Sequence, residues 1–240
     1  MKTDENILTD GIQVLRKNDE DIERLISSHG GDFFSLLDRY ISEIELFNSA
    51  YGLVGTSDRR ELIVKHILDS LAPAGIISRL LAELCANDSE VNPPHIADAG
   101  SGAGLPGIPL SIIMPRCDFT LIERMNRRTG FLWNVKASLN LSNVSVEETE
   151  LEKTAPGRFR LVTFRAFKPL EPKLLKSIFR ICADDGIIAA YKGRLEKIKK
   201  EMLSLEKLCG KWEAISYAVP FLDEERHLLV IKPLSANIRF

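Results

Sequence analysis

Apolar residues recur at three- and four-residue intervals through the first fifty positions, at Ile12, Leu15, Ile22, Leu25 and Ile26, and then at Phe33, Phe34, Leu36, Leu37, Tyr40, Ile41, Ile44 and Phe47. That spacing puts the apolar side chains on one face of a helix, so two or three amphipathic helices are expected over residues 5–50. The pattern continues over 59–85, where Leu62, Ile63, Ile67, Leu68 and Leu71 are apolar and Lys65, His66, Asp69 and Ser70 are polar. Pro73 and Gly75 mark a break in it.

From residue 86 the pattern changes. A polar loop with Asn87-Asp88-Ser89-Glu90 and Asn92-Pro93-Pro94 gives way to short apolar runs separated by helical stretches. This is the signature of a doubly wound, parallel α/β sheet. Strands are expected near 95–99, 118–123, 143–147, 160–164 and 186–191, with helices near 105–114, 126–140, 169–182 and 194–208. Two more strands, 212–217 and 227–231, would make a seven-stranded, mostly parallel sheet with an antiparallel final strand. The expected organisation is a helical extension over 1–85 and an α/β domain over 86–240, together one compact unit.

Composition narrows the class. A chain of 240 residues with 45% hydrophobic content can bury one sizeable α/β core plus a small appendage. The start, Met1 to Asn6, is polar, and no stretch reaches the roughly 18 apolar residues of a membrane span. A soluble, cytoplasmic protein with no membrane partner is expected. Cysteines at 85, 117, 182 and 209 lack paired spacing, so buried free thiols are expected, and the four scattered histidines suggest no metal site.

The formal net charge of −2 argues against a surface coated for nonspecific nucleic-acid binding. Any such contact must be local. The candidate patches are Arg124, Arg127 and Arg128, and Lys192, Arg194, Lys197, Lys199 and Lys200. The plainer account of both is charge on solvated helices.

The strongest chemical signal is Ile96-Ala97-Asp98-Ala99-Gly100-Ser101-Gly102-Ala103-Gly104-Leu105-Pro106-Gly107. Glycines can adopt positive φ and let a ligand approach bare backbone, while a carboxylate at the strand end can fix the loop. The next strand ends in Glu123, about twenty residues on, where α/β folds hydrogen-bond a ribose diol. Nicotinamide dinucleotides and S-adenosylmethionine both carry that ribose. The Asp98-x-Gly100-x-Gly102-x-Gly104 order favours the methyl donor.

Further polar groups fall at the carboxyl ends of later strands. Glu147 to Glu152 would either read an adenine or begin a solvated acidic helix. Arg165 would either contact a ligand or bridge to Asp98 or Glu123. Lys192 would either meet a substrate oxygen or simply cap a strand end. His66 and Asp69, three apart on one helical face, would either cover the site or make a structural cap.

In order and spacing, several segments resemble the glucose-inhibited division protein B family over roughly residues 45–232. They are Val64 to Leu71, Asp98 to Pro109, Phe119 to Glu123 with Arg127-Arg128, Arg165-Ala166, Lys192-Gly193-Arg194, and Glu225 to Val230. The resemblance implies a class I S-adenosylmethionine-dependent methyltransferase fold, Rossmann-like, with an N-terminal helical extension. It implies as acceptor N7 of one guanosine of 16S rRNA, and the near-neutral net charge suggests that the target is the small ribosomal subunit or its assembly intermediate rather than naked RNA.

By motif position, Gly100, Gly102 and Leu105 would line the methionine end of the cofactor, and Glu123 and Met125 the ribose and adenine. Leu151 and Glu152 would bracket the adenine, and Arg165 would stand beside the cofactor at the substrate entrance. The sequence departs from the family's commoner residues at Ala103 and at Arg124-Met125-Asn126-Arg127. Arg165 and Lys192 are the candidate catalytic cations, for guanine O6 or a flanking phosphate. A monomer is expected. The competing readings are a methyltransferase of another substrate, an NAD-binding Rossmann oxidoreductase, and a ribosome-binding module that keeps the fold without catalysis.

Overall fold

The computed structural model describes residues 6–29, 32–86, 92–165 and 170–233. Most of the polar start, the Asn87 to Glu90 loop and the Ala166 to Pro169 segment lie outside the described residues.

Alternation of side chains along each strand decides the layering. In β1 (His95–Ala99), Ile96 joins one apolar cluster and Ala97 the other. Leu121 and Ile122 of β2 (Asp118–Glu123) divide likewise, as do Leu161 and Val162 of β4 (Phe159–Arg165). A sheet buried on both faces must be covered by helices on both, as parallel sheets are.

Together with β3 (Val144–Glu148), β5 (Cys182–Lys192), β6 (Cys209–Tyr217) and β7 (Arg226–Pro233), these strands form one seven-stranded sheet in the order β3-β2-β1-β4-β5-β7-β6. β1 to β5 pair in parallel. β7 runs antiparallel to both β5 and β6, as the sequence pattern anticipates. The chain leaves β1 toward β2 and β3 and returns to the opposite side for β4 and β5. That reversal opens a crevice beyond the carboxyl ends of the strands, where such folds bind ligands.

Two strands start earlier than expected. β5 begins at Cys182 because the chain enters the sheet opposite Phe159 and slips register before Ile187 pairs with Leu161. At Gly186 an added Cβ would lie 2.6 Å from the Phe159 carbonyl. This irregularity, run through Asp184-Asp185, has no period-2 signal. β6 starts at Cys209 for the same reason, a register shift between Cys209 and Trp212.

Helices α7 (Gly107–Ile113) and α8 (Asn126–Leu139) follow β1 and β2. On the other face lie α9 (Pro172–Ile181) and α10 (Leu195–Leu203), which bury Leu175, Ile178, Ile198 and Met202. The N-terminal part forms α1 (Ile7–Asn18), α2 (Glu20–Ser27) and α3 (Phe33–Tyr51), the upper number expected. Its apolar faces pack into the same cluster as Ile96, Leu121 and Leu161.

The helix read over 59–85 is interrupted. A short α4 (Arg59–Leu62) passes through a π-helical stretch (Ile63–Leu68) to α5 (Asp69–Leu71). The chain then turns at Ala72-Pro73 into α6 (Ala74–Leu84). Among the described residues no helix is long and apolar enough to cross a membrane. None of the four cysteines is in a disulfide, and only Cys182 and Cys209 are buried. Cys85 and Cys117 are partly covered, contrary to expectation.

Candidate active site

The glycine loop is built around one carboxylate. Asp98, fully buried at the end of β1, accepts from Ser101 Oγ at 2.5 Å and from the Gly107 amide at 2.9 Å through the same oxygen, Oδ2. Its Oδ1 is buried and has no hydrogen-bond partner among the described residues. Burial pushes its pKa up to about 6, against the lowering effect of those two bonds. Asp98 therefore acts inside the loop, as the fixing group.

Gly100, Gly102 and Gly104 have φ of 70°, 58° and 89°. The glycines differ in purpose. A Cβ on Gly102 would meet nothing closer than 3.9 Å, so this residue leaves bare backbone facing open space. On Gly104 a Cβ would strike Ile108 Cγ1 at 2.6 Å, so there the absence of a side chain serves packing. The N-terminal extension also holds this loop: the buried Tyr40 of α3 donates its hydroxyl to the Ala103 carbonyl at 2.7 Å. Sequence periodicity marks Tyr40 only as an apolar helical position.

Glu123 ends β2 with its carboxylate 5% exposed. It accepts from the Gly102 amide at 3.0 Å, and from the Arg124 and Met125 amides at 2.9 and 3.0 Å. Arg128 stands 3.9 Å away. The acid thus ties the glycine loop to the turn after β2 and stands beside the cleft. Of the acids after β3, Glu147 pairs with Arg158 at 2.8 Å. Glu148 accepts from Thr129 Oγ1 at 2.8 Å, holding the start of α8. Leu151 and Glu152 lie in a 3₁₀ turn on the cleft wall.

The cleft itself encloses about 900 Å³ at the carboxyl end of the sheet. Gly100, Gly102, Leu105, Glu123, Met125, Leu151, Glu152 and Arg165 all line it, so eight residues scattered over the sequence converge on one cavity. The volume lies in the range of small-molecule and cofactor sites. The donor set suits an adenosyl sulfonium compound: bare glycine backbone, a carboxylate for a ribose diol, and Met125 and Leu151 as apolar flanks for a purine.

The structure corrects two sequence-level assignments. Arg165 does not bridge to Asp98 or Glu123. Its Nη1 donates to Asp69 Oδ2 at 3.2 Å and to the Lys65 and His66 carbonyls at 3.1 and 3.2 Å, and its Nη2 meets His66 Nδ1 at 3.0 Å. These acceptors lie in and next to the π-helical stretch, a feature found often at functional sites. Lys192 does not reach the cleft. It pairs with Glu201 at 2.9 Å, and both line a separate groove beside α10. Sequence spacing places both cations at strand ends, but it does not show the acids that hold them, Asp69 96 residues before Arg165 and Glu201 nine residues beyond Lys192.

Sequence reasoning assigned no role to Arg226 or Tyr217. Both reach Asp69: Arg226 Nε at 3.3 Å and Tyr217 Oη at 3.4 Å from Oδ1. Asp69, itself 5% exposed, therefore sits between two arginines. His66 lines the cleft next to this group, and burial, with the Arg165 charge, holds its pKa down to about 4. It is neutral near pH 7.

Comparisons with known proteins agree with this picture. A family model described as rRNA small subunit methyltransferase G matches residues 34–229, eleven positions earlier than the resemblance begins in the sequence. The chain is 37% identical over 216 residues to the ribosomal RNA small subunit methyltransferase G of Treponema denticola, covering 82% of this chain and 85% of that protein. With the protein of the same name from Borrelia turicatae it shares 34% over 219 residues, covering 88% and 99%. Among solved structures, a SAM-dependent methyltransferase from Aquifex aeolicus superposes with a TM-score of 0.50 at 17% identity, covering 80% of this chain and 97% of that one. A tRNA methyltransferase from the same organism gives 0.50 at 13%, covering 68% and 69%. At such identities the likeness concerns the fold.

Proposed function

The chain belongs to the rRNA small subunit methyltransferase G family and is an S-adenosylmethionine-dependent methyltransferase; we propose that its acceptor is N7 of one guanosine of 16S rRNA. The observation that carries the reading is the open glycine backbone at Gly102 beside the buried Glu123 carboxylate, in a chain with this family membership. We assign Gly100, Gly102 and Leu105 to the methionine end, Glu123 to the ribose, and Met125, Leu151 and Glu152 to the adenine. Residues 1–85 serve as the helical extension and 86–240 as the methyltransferase domain. The working form is a cytoplasmic monomer acting on the small subunit or an assembly intermediate.

Bound in this cleft, S-adenosylmethionine supplies an electrophilic methyl on a sulfonium. Guanine N7 carries a lone pair and no proton, so no residue has to act as a base. The chain's task is to align the base in a dry cleft and to avoid opposing the positive charge that the base acquires. Arg165 suits the second requirement because Asp69 offsets its charge. The acceptor must be unpaired or flipped out to reach the cleft.

Transfer of radiolabelled methyl to small subunits lacking the modification tests the reading, with the modified base mapped by borohydride and aniline cleavage. Label at a guanosine N7 is expected, and Arg165→Ala should lower transfer at least about tenfold. Absence of incorporation by the intact enzyme would contradict the assignment.

A further inference from the structure

We infer that His66 tells guanine from adenine, donating a hydrogen bond from its Nε2–H to O6 of the acceptor base while Arg165 fixes its tautomer. The inference rests on the guanine-N7 reading and adds the residue that reads the base.

A guanidinium can only donate hydrogen bonds. Arg165 Nη2 lies 3.0 Å from His66 Nδ1, so this ring nitrogen must accept. In a neutral imidazole the proton then resides on Nε2. Burial keeps the ring neutral, and so removes the form in which both nitrogens would donate. Among the described residues nothing bonds Nε2, and His66 lines the cleft. The result is one oriented, uncharged donor on the wall of the site.

That donor matches one base edge. Next to N7 guanine presents the acceptor O6, whereas adenine presents the donor N6 amino group. A fixed N–H therefore bonds the first and is left facing another donor by the second. Neutrality matters as well, because attack through N7 leaves the base cationic. The surrounding charges balance: Arg165 and Arg226 face Asp69, and Arg226 also pairs with Glu224 at 2.9 Å. A free arginine in place of His66 would oppose the developing charge.

The test uses reconstituted small subunits with guanosine or 2-aminopurine at the target position. 2-Aminopurine retains N7 and lacks O6. The intact enzyme should lose about tenfold in kcat/KM on 2-aminopurine, the worth of one hydrogen bond. His66→Asn, which keeps an acceptor near Arg165 but no donor at the Nε2 position, should lose about as much on guanosine and little more on 2-aminopurine. His66→Gln, whose amide reaches the Nε2 position, should recover part of the discrimination. Equal proportional losses on both substrates by both variants, or an intact enzyme indifferent to O6, would overturn the inference. If the intact enzyme modifies neither subunit, the guanine-N7 reading falls and takes the inference with it.

Discussion

Asp98 combines the features of a structural acid with those of a titrating one. Its two hydrogen bonds favour the charged form, yet burial prevails and its pKa stands at about 6 in the fold against 3.8 when exposed. A carboxyl raised on folding stabilises most when protonated, so its contribution is full below about pH 3.8 and is lost as pH rises through about 6. His66, at about 4 in the fold against 6.5, slopes the other way: its contribution is present above 6.5 and fades toward pH 4. The two partly cancel in the intact protein. Asp98→Asn separates them, and denaturant unfolding should find the stability gap moving in favour of the variant between pH 4 and pH 7, by up to about 3 kcal/mol. A gap constant with pH would contradict the shift. The residues themselves were readable, since Asp98, the glycines and Glu123 form a spaced pattern within twenty-five positions. What Asp98 and Glu123 bond to was not, because a string of letters does not say which amides a loop will turn inward.

At the level of elements, one contact joins α3 to the glycine loop. The Tyr40 hydroxyl satisfies the Ala103 carbonyl inside a buried environment. Tyr40→Phe leaves that carbonyl without a partner, at a cost of about 1–3 kcal/mol. Part of this should fall on loop geometry, weakening S-adenosylhomocysteine binding by up to about tenfold in calorimetry. Unchanged affinity in a folded variant would show the bond to be structural alone. Strands and helices with clean periodicity were legible: β1, β2 and α8 lie where the pattern puts them. The misses share one cause, extra residues that interrupt a repeat. The π-helical stretch through His66 and the slipped starts of β5 and β6 each break a period that the sequence pattern alone continues.

For the molecule as a whole, the extension and the sheet share a core. Ile12, Leu37, Ile41 and Ile67 belong to the same apolar cluster as Leu121, Leu161 and Leu228. Removing residues 1–51 would expose that face, so the shortened chain should show no cooperative unfolding transition in calorimetry. A sharp transition near that of the full chain would mean that the α/β part stands alone. The division at residue 85 is a change of apolar pattern, and apolar packing runs across it. Fold class was legible from alternation alone; the acceptor rests on the family and on the cleft's chemistry.

The carboxylate of Asp69 also has a history in time. Its two arginine partners lie 96 and 157 positions further along the chain. A protein emerging from its N-terminus makes Asp69 well before Arg226. Until β7 docks, one of its two cations is missing, and a buried charge left short of partners is costly. The wall carrying His66 is thus completed by a residue made long after it, and chains stopped before β7 should lack a working cleft.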